Sequence, residues 1–353
     1  MRTMKNIFII LAVLTIGSIA CQGPQTNIVS VRIPIDSVGF AVTAKQMDIV
    51  MSRLSWEALP ATADPWKVVI SPHDDYQYVS DIYPLLLQNI KSDVVILFGV
   101  AHRAASLGLE DSLVFDNFDY WSGPYGNVRV SSIREEIMSL LDPGFYTVND
   151  SMHGMEHSLE SLIPFLQYFN RDIEIVPILV PYMSPERMKI AGNKLAAAIS
   201  RITEERSLSF GKDISIVITS DAVHYGNEDW GENDYAWYGC DQAGNQQAVA
   251  REYEIIENCL TGNLTEERIA LFSSYTLSDD NWKEYKWSWC GRYSIPVGLY
   301  TALYIDGLSL PDGKLVAYST SILNNHTDFT DNDMGTTAIA TDCHWVGYPA
   351  IGF

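Results

Sequence analysis

Four short motifs, SPHDDY, FGVAH, TSDAVHYG and WCGRY, carry side chains able to bind a metal or move a proton. They set His73, His102, Asp221, His224 and Cys290 far apart along the chain but in similar local settings. Imidazole and thiolate are donors that suit copper, iron or zinc. His73, His102 and Cys290 would together make a three-ligand site with positions left open for a small molecule. Asp221 and His224, on one short turn, would orient each other and serve as base or supporting groups.

Each of the first three motifs closes an apolar run. Val68 to Ile70 leads into His73, Val94 to Phe98 into His102, and Ile214 to Thr219 into Asp221 and His224. Short β-branched runs of this kind read as strands buried on both faces, as in a parallel sheet covered by helices. Ligands gather beyond the carboxyl ends of such strands, so the motifs are expected on one rim. The wider pattern predicts helices over 44–58, 80–91, 131–141, 157–169, 184–203, 242–260 and 291–305, with strands over 66–71, 93–99, 173–180 and 214–220. That alternation predicts an α/β fold: a mainly parallel central sheet flanked by helices on both faces. Cys290 would then lie at the start of the last helix, where the positive end of the helix dipole favours thiolate.

With 353 residues, 47% of them hydrophobic and 19% charged, the chain can bury a full single-domain core. A net charge of -21 without any basic run argues against nucleic acid or an anionic membrane surface as a partner. The N-terminus differs in kind. Arg2 and Lys5 precede an apolar stretch that ends in small residues before Cys21, which is the form of a signal peptide. Ser18-Ile19-Ala20-Cys21 is similar to a bacterial lipobox, with Ser18 where Leu is usual. The expected organisation is a signal peptide at 1–20, a lipidated Cys21 with a linker to 42, and one domain at 43–353. Such a protein is exported and held to the bacterial envelope, periplasmic or surface, by its lipid alone. Cys240, Cys259, Cys290 and Cys343 are too scattered for a disulfide framework, so any pair among them is a local staple.

Other readings compete for the same residues. His153-Gly154-Met155-Glu156-His157 fits the HxxEH pattern of inverted zinc peptidases, although Gly154 weakens a rigid ligand pair. Cys290, His224 and Asp221 supply the residue types of a nucleophilic hydrolase, without a motif that supports one. Aromatic clusters at Trp230 to Tyr238 and Trp282 to Tyr293 read equally as a pocket wall or as loop packing. His326 and His344 lack a comparable setting and read as structural.

Seven segments stand in one order: SPHDDYQY, ILFGVAH, FDYWSGPYGNVRV, MEHSLESLIPFLQYF, IVPILVPY, ITSDAVHYG and CGRYSIPVGLYTAL. This succession resembles the Memo family, also called AmmeMemoRadiSam system protein B. The resemblance covers about 66 to 306 and implies a fold like that of class III extradiol dioxygenases, which are nonhaem iron enzymes. His73 matches the His of the family's PHAGY motif, His102 that of GPSH, Asp221 and His224 those of SSDxxH, and Cys290 the Cys of CGR. Two His and the Cys are associated there with copper or iron. Glu156, His157 and Glu160 match the EHSxE segment, which gives the peptidase pattern another explanation. Asp74, Asp75, Tyr76, Glu156, His157, Glu160 and Arg292, in or beside these motifs, are expected to line the pocket. The resemblance thus implies a mononuclear copper or iron site, with zinc also suitable, and redox or oxygen-dependent chemistry on a small substrate. The alternative is a metal-handling, small-molecule or peptide-binding protein without turnover. The export signal argues against the cytoplasmic radical-SAM partner that the family name implies. Cys290 stands where the dioxygenases have a carboxylate ligand, which argues against simple ring cleavage.

Overall fold

A computed structural model describes residues 29–60, 63–322 and 326–353. The expected signal peptide, Cys21 and the first part of the linker lie outside them. The strands are β1 (Val31–Arg32), β2 (Val68–Ser71), β3 (Val94–Val100), β4 (Leu113–Phe115), β5 (Tyr120–Gly123), β6 (Gly126–Val130), β7 (Tyr146–Val148), β8 (Glu174–Val180), β9 (Ile214–Thr219), β10 (His224–Gly226), β11 (Lys314–Thr320) and β12 (His344–Gly352). The α-helices are α1 (Ala44–Arg53), α2 (Tyr76–Val79), α3 (Ile82–Leu87), α4 (Ile133–Leu140), α5 (Asp150–Gly154), α6 (Leu162–Phe169), α7 (Pro185–Arg206), α8 (Gln242–Ile255), α9 (Glu266–Thr276) and α10 (Ser294–Ile305). No helix among the described residues is long and apolar enough to cross a membrane.

The fold is mixed α/β around a 12-stranded sheet whose main path runs β1-β5-β6-β8-β3-β9-β2-β12-β10. Its centre, β6-β8-β3-β9-β2, is parallel throughout. The sheet as a whole is mixed, which corrects the expectation of a mainly parallel one: β12 runs antiparallel to β2, β10 and β11, and β5 runs antiparallel to β6. The departure comes from short or interrupted segments. β10 is the tripeptide HYG, and β12 contains Gly347 and Pro349, residues that weaken a strand signal.

Alternation along the central strands sorts the core into two faces. Val68, Ile70, Ile96, Phe98, Ile214, Ile216 and Ile218 belong to one cluster, with Leu195 and Ile199 of α7 and Val297 and Leu299 of α10. Val69, Val95, Leu97 and Val217 turn to the other, with Met47 of α1, Leu86 of α3 and Phe165 of α6. Full burial of both faces is why these strands read as continuous apolar runs. Gly298 of α10 lets that helix lie close on the sheet, since a Cβ there would meet the Ile218 side chain at 2.5 Å.

Several predicted helices are shorter than expected. The first stops at Arg53, because Leu54 is extended, and the one expected at 80–91 is α3 alone, preceded by the single turn of α2. The helix expected to begin at Gly291 begins at Ser294 instead.

Candidate metal centre

Because β3, β9 and β2 are adjacent and parallel, their carboxyl ends open on one edge. His102 follows β3, Asp221 follows β9 and His73 follows β2, so the rim predicted from the strand exits is present. Cys290 arrives by a different route. Val223 pairs with Trp289 in an isolated antiparallel bridge, and Ser288 exchanges hydrogen bonds with the backbone of His224. This pairing sets the thiol where the Asp221 amide donates to Sγ at 3.2 Å. Gly291 makes the approach possible: a Cβ there would lie 2.3 Å from the Ser220 side chain.

His73 is the hub. Its backbone amide donates to Asp221 Oδ1 at 2.9 Å, while its Nε2 lies 3.4 Å from Asp221 Oδ2 and 3.7 Å from Cys290 Sγ. Its ring centre is 5.4 Å from that of His102 and 5.8 Å from that of His157. Two overlapping donor groups result: His73, His102 and His157, and His73, Asp221 and Cys290. The donor atoms within each group lie within 4.8 Å of one another. The expected trio of His73, His102 and Cys290 is therefore divided between them, with His73 in common.

Orientation of the imidazoles comes from Glu156. Its Oε1 lies 2.9 Å from His102 Nδ1 and accepts from the amides of His157 and Ser158, while Oε2 accepts from the His102 amide at 2.7 Å. Holding Nδ1 of His102 in this way leaves Nε2 as the atom free to bind a metal. Burial opposes the negative charge on Glu156, but His102, His157 and the Ser158 amide outweigh it, and the carboxyl is held well below its usual range.

The other charges on the rim are shaped by burial. His73 is pushed well below the ordinary imidazole value, first by burial and then by His102 and His157. His157 falls to about 4 by burial and the neighbouring His102. These imidazoles are neutral at pH 7, the form in which nitrogen can be a ligand. Asp221 is raised well above its usual range by burial and by Asp74, and Cys290 is raised by burial and by Asp221. That corrects the expectation of a thiolate favoured by a helix dipole: α10 starts beyond the thiol, and desolvation wins.

Asp221 and His224 do not orient each other. Asp221 faces His73, while the ring of His224 lies 5.1 Å from that of Trp230, with Nε2 buried and without a partner among the described residues. Burial first, then His102, lowers His224 to about 3. Asp74 sits behind the rim, accepting from the Tyr348 hydroxyl at 2.6 Å, and Asp75 accepts from Thr337. Burial and Asp74 raise Asp75 to about 7. Tyr76 is a core residue that donates to the Ser161 carbonyl, and Glu160 forms a buried ion pair with Arg32 of β1. Arg292 lines a pocket together with His102 and Cys290.

The HxxEH pattern does not assemble. His153 is buried near the Val114 carbonyl, at 3.0 Å, and belongs to neither donor group. The hydrolase arrangement fails as well, since the imidazole beside Cys290 is that of His73 rather than His224. Of the aromatic clusters, Trp287 and Trp289 donate to the buried Glu252 and are packing, whereas Tyr285 and Tyr293 reach the pocket wall. His344 stacks on Trp230, and Cys240 is disulfide-bonded to Cys343 just before β12; with the two cysteines 103 positions apart, the bond is a long-range tie and not the local staple expected.

The sequence profile of Memo-like proteins matches residues 42–339. This chain belongs to the Memo-like family. A MEMO1 family protein of Methanobrevibacter smithii is 32% identical over 166 residues, which are 46% of this chain and 54% of the relative. One of Aeropyrum pernix is 33% identical over 193 residues, 52% of this chain and 63% of the relative. The matches thus span roughly half to under two thirds of the length of these Memo relatives.

His157 is the donor that sequence reasoning assigned to the pocket wall. Its signal was the EH dipeptide itself: an anchored acid next to an imidazole places that imidazole beside whatever the acid orients. Glu156 was visible for the same reason, but its role as anchor for the whole His102 turn needed the fold.

Proposed function

We propose that this Memo-like protein holds one transition-metal ion at the His73 hub and uses it for redox or oxygen-dependent chemistry on a small substrate. The observation that carries the proposal is the convergence of imidazole, carboxyl and thiol donors on His73, whose Nε2 lies 3.4 Å from Asp221 Oδ2 and 3.7 Å from Cys290 Sγ. Mixed nitrogen and sulfur donors fit copper or iron, and also zinc, better than calcium or magnesium. His73, His102 and Cys290 would hold the ion, with His157 and Asp221 as the adjacent donors.

When bound, such a metal supplies one-electron chemistry or the polarisation of a bound small molecule. The chain's own residues set the conditions. Glu156 fixes the His102 ring, Asp221 accepts from the His73 amide, and burial keeps His224 neutral. A likeness to class III extradiol dioxygenases is part of this proposal and is supported by the parallel strand exits that carry the donors. The sulfur donor argues for chemistry other than simple ring cleavage.

Export with a lipid anchor at Cys21 is a second part of the proposal, supported by the Cys240–Cys343 disulfide, since such bonds persist mainly in oxidising compartments. Metal content of the protein lacking residues 1–20, compared with His73→Ala and Cys290→Ala, tests the centre. Stoichiometric copper or iron in wild type and its loss in both variants is expected; substoichiometric metal in all would sink it. Oxygen uptake that depends on His224 separates an enzyme from a metal carrier. Palmitate labelling abolished by Cys21→Ala is expected for the anchor, and labelling that persists excludes it.

A further inference from the structure

Arg292 is only 4% exposed, yet no carboxylate pairs with it among the described residues. A buried guanidinium is ordinarily paired, so this one is incomplete as it stands. Its charge rests on aromatic faces: the guanidinium carbon is 3.5 Å from the ring centre of Tyr285, 4.7 Å from that of Tyr293 and 5.9 Å from that of Tyr182. Nη2 donates to the Lys283 carbonyl at 3.0 Å, while Nε is buried without a partner among the described residues. The side chain lines the pocket that also takes in His102, Cys290, Tyr182, Tyr285 and Tyr293.

We propose that Arg292 is the recognition residue for a small, flat organic carboxylate bound in this pocket. The guanidinium plane matches the two oxygens of a carboxylate, and the tyrosine rings with Val100, Val180 and Pro181 provide apolar walls for a planar body. Phosphate suits the pocket less well, because it is tetrahedral and strongly hydrated and no lysine lines the wall. An acid group on Arg292 sets the rest of the ligand against His102 and Cys290. Recognition rests on the guanidinium and is present with or without a metal.

Calorimetric titration of the full chain with benzoate, in metal-free and metal-loaded form, tests this, with benzamide and inorganic phosphate as controls. Benzoate is expected to bind both forms, and Arg292→Gln to weaken it by about 10- to 100-fold, as for loss of a charge-assisted hydrogen-bonded pair. Arg292→Lys keeps the charge and the aromatic contact but not the planar fork, and is expected to weaken benzoate by about tenfold. Near-ultraviolet circular dichroism verifies folding, and the Lys variant decides if the Gln variant unfolds. Absence of benzoate binding, equal binding by a folded Lys or Gln variant, or equally tight binding of benzamide or phosphate would overturn the assignment. Binding seen only with metal and unchanged in Arg292→Gln would place the acid on the metal, overturning the Arg292 role while leaving the metal centre intact. Benzoate binding to a protein that takes up no metal supports Arg292 and sinks the metal centre alone.

Discussion

Replacing Glu156 by glutamine exchanges one oxygen for an amide nitrogen and isolates what the carboxylate contributes. Oε1 faces His102 Nδ1 and the amides of His157 and Ser158, each at 2.9 Å, and Oε2 faces the His102 amide at 2.7 Å. A glutamine can keep its carbonyl on one side only. With the carbonyl on the crowded side, its NH2 meets the His102 amide donor to donor, and the reverse placement abandons the other partners. The milder case loses one charge-assisted hydrogen bond and weakens the rest, for a cost of about 2–4 kcal/mol in stability. Looser anchoring of a metal-binding imidazole typically costs about 10- to 100-fold in metal affinity. Thermal unfolding measures the first effect, and competition with a chromophoric chelator measures the second. The pH dependence has a definite sign. A depressed carboxyl stabilises the fold fully above its unfolded value of about 4.3, and that contribution is lost as pH falls toward the folded value. The stability gap between wild type and Glu156→Gln is therefore expected to close in acid. Unchanged metal affinity in a folded variant, or a gap that widens in acid, would refute the reasoning.

Glu252 behaves in the opposite sense. Burial raises it to about 7 despite hydrogen bonds from Trp287, Trp289 and the Val223 amide, so the folded state binds a proton that the unfolded chain releases. Its contribution is greatest below about pH 4 and declines as pH rises through 7, by roughly 3 kcal/mol in all. Denaturant titrations across that range should show the decline in wild type and its absence in Glu252→Gln; parallel curves for the two proteins would count against it. Gly291→Ala forces a methyl against Ser220 and is expected to cost about 1–3 kcal/mol. A denaturant midpoint equal to that of wild type would show that the Cys290 turn yields without cost.

The strand exits were legible because β2, β3 and β9 are buried on both faces, and such strands are written as unbroken β-branched runs. His73, His102 and Asp221 follow them directly, so their common edge could be read once the strands were taken as parallel. The antiparallel additions left little trace. β10 is three residues long, and β12 earns its place through pairing with β2 and β11 on either side rather than through its own composition. His157 was visible as a candidate but not as a neighbour of His73, since its position depends on how the turn before α6 folds around Glu156.

The sequence by itself determined the family resemblance, the central strands and the residues at their carboxyl ends, because hydrophobic period and β-branching act within a few residues of chain. Only the tertiary structure decided that Cys290, 217 positions from His73 in sequence, meets it within 3.7 Å, and that Asp221 turns to His73 and away from His224. The same holds for protonation. A helix start suggested a thiolate at Cys290, but desolvation is set by everything packed around a group, and burial beside Asp221 raises the thiol instead.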